Sequence, residues 1–184
     1  NDIKGLVSNF VQKTTQNAEL VNPFAINLYT LGYDSNGNLT ILNRAVKENL
    51  KTYINEYRML TDGVNIIDGF IINIGVNFEI TTYKNFNQRE VILTCINELK
   101  SFFDINNWQF NQTINLSDIE LTIAMVEGVA SVQRVEIVNK CGGIYARNSY
   151  DIQAATKNKI IYPSLDPSVF EVKFPDKDIK GKAI

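Results

Sequence analysis

From Phe70 to Ile80 the chain alternates with period two. Phe70, Ile72, Ile74, Val76, Phe78 and Ile80 stand against Ile71, Asn73, Gly75, Asn77 and Glu79. That pattern predicts a long strand with one buried and one wet face, starting just after Asp68. Gly75 inside it predicts a bulge or sharp twist. Before it, Leu42, Val46, Leu50, Tyr53 and Tyr57 recur every three to four residues and predict a helix from Thr40 to about Arg58. Thr61-Asp-Gly63 is the expected stop, with Gly63 suited to a left-handed conformation. After the strand, Asn87-Gln-Arg-Glu90 has capping-box form and opens a second helix with the apolar stripe Val91, Ile92, Cys95, Ile96, Leu99 and Phe102/Phe103. Ser117-Asp-Ile-Glu120 repeats the box and starts a short helix through Ile119, Ile123 and Val126, closed by Gly128. Strands are expected at Phe24–Tyr33, around Trp108–Ile114, and from Val129 to Val138.

The middle of the chain, residues 66–139, therefore reads strand–helix–strand–helix–strand, preceded by one more strand and helix. That order predicts an α+β fold, a mixed or antiparallel sheet with helices packed on it. Three segments are expected: 1–62 as an N-terminal strand/helix piece, 63–140 as the α+β core, and 141–184 as an extended C-terminal arm. Residues 1–20 carry Leu6, Val7, Phe10 and Val11 and suggest a short helix or an arm. In the tail, Ile160–Tyr162 and Val169–Phe174 are extended pieces punctuated by Pro163, Pro167 and Pro175, as in an arm laid on another surface. Tyr162, Leu165, Phe170 and Phe174 are its candidate interface residues. Cutting after Asn158 is expected to leave the 66–139 body folded while weakening self-association.

Composition narrows the chemistry. The 184 residues include no histidine, which removes imidazole general bases, Ser–His and Cys–His relays and His-based metal sites. Cys95 and Cys141 are too far apart for a zinc cluster or a disulfide framework, and two free thiols suit a reducing compartment. A net charge of −2 offers no basic footprint for nucleic acid, and no apolar run approaches the length of a membrane span. The 23 asparagines reflect compositional drift rather than a specific chemistry, and the triplets starting at Asn38, Asn111 and Asn115 are chance glycosylation-like matches in so Asn-rich a chain. Beginning at Asn1 with no leader pattern, the chain reads as a fragment or a processed product.

Candidate sites each have a plainer reading. Asp34-Ser-Asn-Gly-Asn38 has the look of a calcium loop, but its Gly falls fourth where an EF-hand needs it sixth, so a turn is expected. Phosphate-binding glycine motifs are absent, and Gly142-Gly143 is a turn. Glu48, Glu56, Glu98 and Glu120 fall on helix faces open to solvent or at caps, and no carboxylate pair can be assigned to a cleft. Glu171, Lys173, Asp176, Lys177 and Asp178 alternate in sign and read as solubilising. Asp68 sits in the register of the apolar strand positions, either as a buried acid or as the last residue before the strand. No catalytic residue, cofactor or metal is assigned.

The segments Asn22–Tyr33, Leu50–Asp62 and Gly63–Val76, together with the turn Gly128-Val-Ala-Ser-Val132 and the tail Ile161–Ser168, resemble the baseplate wedge protein of T-even-like contractile-tailed phages, within the baseplate J-like group. The resemblance covers most of the chain and is densest from 20 to 140. It implies a non-enzymatic structural virion subunit, the C-terminal part of a longer protein, assembled in the host cytoplasm and located in the tail baseplate. It also implies partners: a second copy in a dimer, other wedge proteins in a ring, and neither nucleic acid nor membrane. The alternative is a ferredoxin-like regulatory module that binds a small ligand at a helix N-terminus near Asn87 or Ser117.

Overall fold

The computed structural model describes residues 25–57 and 63–184. The expectations for residues 1–20 and for the helix stop at Thr61-Asp62 lie outside them. The fold is α+β, and the chain packs as two compact units with boundaries at 30/31, 41/42 and 68/69, where the sequence suggested 62/63 and 140/141. The difference arises because the second unit takes in both a hairpin from upstream and the whole C-terminal segment.

In the first unit, strand β1 (Ala25–Thr30) pairs in parallel with β4 (Gly63–Asp68) in register from Ala25↔Gly63 to Thr30↔Asp68. Gly63 thus opens a strand. A parallel pair needs a crossover, and helix α1 (Arg44–Tyr57) supplies it. Lys47, Leu50 and Ile54 are its half-buried positions, and Lys47 Nζ lies 2.6 Å from the Asp68 carboxylate. Asp68 is therefore the last residue of one strand and half of an ion pair. Val46, Tyr53 and Tyr57 remain exposed.

The second unit is built on β5 (Phe70–Thr82), the strand that the alternation predicts. Ile72, Ile74, Val76, Phe78 and Ile80 are all buried on one face. Against them pack Val91, Cys95 and Leu99 from α2 (Gln88–Phe102), and Ile119 and Ile123 from α3 (Leu116–Ala124). Asn87 caps α2 by accepting a hydrogen bond from the Arg89 N–H at 3.1 Å. The cap of α3 is Asn115, which accepts from the Ser117 N–H at 3.0 Å, so Ser117 lies inside the first turn and is not the cap. Two residues earlier, the asparagine outcompetes the serine for the same free N–H groups. Gly128 does close this region: its φ is +94°, and a Cβ there would lie 2.7 Å from Val91 Cγ2.

On one side β5 pairs antiparallel with β7 (Val129–Asn139), with register shifts at Glu79/Ile80 and Thr81/Thr82. Gly75 is not at a bulge; it pairs regularly with Val138. Its lack of a side chain answers to close approach, because a Cβ would stand 2.9 Å from the Lys140 side chain and 3.0 Å from the Asp178 carbonyl. The stretch around Trp108–Ile114 is mostly irregular. Trp108 stacks on Phe103 at 5.5 Å between ring centres, and Ile114–Asn115 forms the two-residue strand β6. Strand β6 joins β9 (Ile160–Ile161), which also pairs with β8 (Thr156–Lys157), in a small separate sheet; the one-turn helix α4 (Ile152–Ala155) precedes β8.

The largest departure from expectation is in the tail. Strand β10 (Ser168–Glu171) runs parallel to β5 against Phe70–Asn73, and β11 (Ile179–Ala183) runs parallel to it against Val76–Ile80. A single turn, α5 (Pro175–Asp178), joins them. The two short strands fill one sheet position end to end, on the side of β5 opposite β7. The segment is part of the core here, and Val169, Phe170, Val172 and Ile179 are buried. Removing everything after Asn158 would strip one whole side of β5, so the structure argues that this truncation destabilises the 66–139 body rather than leaving it intact.

Candidate functional site

The hairpin β2 (Gly32–Tyr33) and β3 (Leu39–Thr40) turns through Asp34–Asn38. Asp34 Oδ1 accepts from the N–H groups of Asn36 at 2.8 Å and Asn38 at 2.9 Å, and Gly37 takes φ +82°. These inward bonds to backbone hold the Asp34 carboxyl below its ordinary range. The loop is a side-chain-stapled turn, as expected. Among the described residues no group of three or more Cys, Asp or Glu is placed to hold a metal.

Next to the hairpin lies a polar cluster that the alternation pattern does not reveal. Asn73, on the face of β5 expected to be wet, is 1 % exposed. The loop after β7 covers it: the Lys140 N–H and Asn139 Nδ2 both donate to the Asn73 carbonyl, and the Ala146 N–H donates to Asn73 Oδ1 at 2.7 Å. Asn73 Nδ2 in turn donates to Glu171 Oε2 at 2.6 Å, while Glu171 Oε1 accepts from the Leu39 N–H. Glu171 is 4 % exposed. Burial pushes its carboxyl above the usual range, partly opposed by those two hydrogen bonds and by the Lys173 ammonium. Asp178, also buried, accepts from the Tyr145 hydroxyl at 2.6 Å and from the Phe174 N–H at 3.0 Å. The bond to Asp178 holds the Tyr145 phenol up at about 12. The tail carboxylates Glu171 and Asp178 are thus structural fasteners; the solubilising reading holds for Asp176 and Lys177, which stay exposed.

Three open grooves of 530 to 540 Å³ mark the second unit. One runs between the hairpin tip and α5, past Lys100, Glu171 and Lys173; a second lies beside β7 and α4; the third lies between β3 and the 145–148 loop. None is lined by Asn87 or Ser117, where the ligand-binding alternative would place its site. In each, the ionisable groups with displaced pKa values are spent on internal hydrogen bonds. Cys95 is buried with its thiol pushed up to about 11, and Cys141 is exposed.

The four expected interface residues separate. Tyr162 is half exposed and Leu165 fully so, both in the connection between β9 and β10. Phe174 is half-buried, with its ring edge-on to Tyr145 at 5.6 Å. Phe170 is 2 % exposed, facing the core beside Tyr150, and is no surface residue. Its partners are in β5, about a hundred residues upstream, and no local pattern could announce them. What the sequence analysis missed is the exposed apolar surface of the first unit. Tyr57 is 74 % and Tyr53 60 % exposed, their rings 5.0 Å apart on α1, and Val46, Ile26 and Leu28 are open too. The helical spacing had pointed these α1 residues inward. No residue described in this unit is fully buried. No family model matches the chain, and no curated protein is significantly similar to it.

Proposed function

We propose that this chain is a structural assembly subunit, a component of a contractile-tail baseplate wedge, that acts by pairing with its own copies and with neighbouring wedge proteins. The observation that carries the assembly part is the first unit. Its described residues form two parallel strands and one helix, none of these residues is fully buried, and they present an apolar stripe to solvent. Three or more strands, or a covered face, are what such a sheet ordinarily requires for stability. An isolated aromatic is normal on a surface, whereas Val46, Tyr53 and Tyr57 on one helix form a patch of the kind found in contacts between proteins. The assignment to a baseplate rests on the sequence resemblance. Virion location and wedge partners follow from that same resemblance.

The mechanism is geometric. Tyrosine gives large contact area for few rotatable bonds, so a Tyr53/Tyr57 pair orders at small entropic cost. A ring further requires two different contacts per subunit, one isologous and one that closes the circle. Replacing both tyrosines, Tyr53→Ser with Tyr57→Ser, tests this reading. Sedimentation equilibrium is expected to show self-association weakened by at least about tenfold, the loss typical of removing a central aromatic anchor. The melting of the second unit is expected to stay unchanged. Unaltered association would remove α1 from the contact.

A further inference from the structure

The C-terminal segment 168–184 has the anatomy of an exchangeable part. Its own internal bonds travel with it: the Asp178 carboxylate accepts from the Phe174 N–H at 3.0 Å, and the Asp178 N–H donates to the Phe174 carbonyl at 2.8 Å. These fix the turn between β10 and β11 without help from the rest of the molecule. Its remaining core and carboxylate contacts are with the body. Phe170, Val172 and Ile179 enter the core, Glu171 reaches Asn73 and Leu39, and Asp178 reaches Tyr145. Gly181 lets the Phe78 ring lie flat on the strand, since a Cβ there would stand 2.3 Å from Phe78 Cζ. The body therefore holds a groove along β5 with a specific, self-complementary filling.

The connection to that segment is six residues, 162–167, with proline at 163 and 167 and no regular structure. Proline fixes φ near −65° and biases the residue before it toward extended backbone. Short connections of this kind favour exchange of the element they carry. Within this connection Leu165 is fully exposed and Tyr162 half exposed.

We propose that residues 168–184 are exchanged between two copies of this chain, each β10–β11 pair docking on the β5 of the other, with residues 162–167 as the hinge. The closed and exchanged forms make the same core contacts, so hinge geometry and protein concentration decide between them. This inference rests on the assembly reading and supplies its second contact, distinct from the α1 surface.

The test uses register. Lys182 stands opposite Glu79 in the β11–β5 pairing. Two single variants, Glu79→Cys and Lys182→Cys, are each made in the full chain with Cys141→Ser, mixed, incubated at high concentration and treated with a short bis-maleimide. Covalent heterodimers are expected, because exchange brings residue 182 of one copy beside residue 79 of the other. A mixture of Glu79→Cys with Asp176→Cys, at the other end of the segment, is expected to give none. The double variant Glu79→Cys with Lys182→Cys confirms the register in the closed form by linking within one chain. Heterodimers absent from the register-matched mixture, while the double variant links only within its chain, overturn the exchange. If light scattering then still shows self-association, the exchange has failed and the assembly reading stands. Heterodimers that disappear when four Gly/Ser residues are inserted after Ser164 support the hinge.

Discussion

Replacing Phe170 by alanine separates a tail that completes the core from a tail laid on a surface. Phe170 is 2 % exposed, lies opposite Ile72 in the parallel register, and meets the Tyr150 ring edge-on at 5.9 Å. Truncating it removes a buried aromatic and leaves a cavity beside the central strand, for which the usual cost is about 3–5 kcal/mol. Loss of the edge-to-face contact with Tyr150 falls within that figure. In a chain of this size each kcal/mol moves the melting point by about 2–4 °C, so Phe170→Ala is expected to lower it by roughly 6–20 °C. The companion Leu165→Ala, at a fully exposed position, is expected to stay within ±0.5 kcal/mol. Thermal unfolding followed by circular dichroism reads both. Equal melting points for the two variants would refute the placement of β10 in the core and restore the arm expected from the sequence.

Three further outcomes follow from the same geometry. Glu171 has its pKa raised, mainly by burial, so the folded state binds its proton more tightly than the unfolded chain does. The penalty is present in full above the folded pKa and is relieved as pH falls through it toward the ordinary carboxylate range; over that acid-side fall the native protein should gain stability relative to Glu171→Gln, and parallel pH profiles would contradict a buried carboxylate. Gly181→Ala places a methyl group against the Phe78 ring and Ile92, an overpacking expected to cost about 1–3 kcal/mol in denaturant titration; a neutral result would mean that β11 does not lie on Phe78. Cys141 is expected to react with a thiol reagent at neutral pH while Cys95, buried with its thiol at about 11, reacts only on unfolding; simultaneous labelling would contradict the packing of α2.

The parts of the fold legible in the sequence are those whose partners are close along the chain. The period-two run from Phe70 to Ile80, the Asn87 cap and the Asp34–Asn38 turn announce themselves within a dozen residues. The tail does not, because β10 and β11 have four and five residues each and pair with a strand about a hundred positions away. Its prolines at 163, 167 and 175 read as strand breakers, yet Pro163 and Pro167 lie outside the strands, where a missing N–H costs no ladder bond, and Pro175 opens the single turn α5, where the first N–H has no helical partner in any case. Alternation places Asn73 on a wet face because it reports one face of one strand and carries no information about the 140–148 loop that covers the other. On α1 the spacing found the apolar stripe, but the half-buried face shares only Leu50 with it and otherwise takes Lys47 and Ile54, leaving Val46, Tyr53 and Tyr57 exposed. The sequence therefore identified apolar surface on α1 without saying whether this chain or another covers it.

Assembly is the central claim, and the mass of the chain in solution tests it most directly. Light scattering after size exclusion, repeated from micromolar to near-millimolar concentration, is expected to show the mass rising from the 20.8 kDa of one chain to that of a dimer or beyond. A mass that stays at one chain across the whole range would contradict the account.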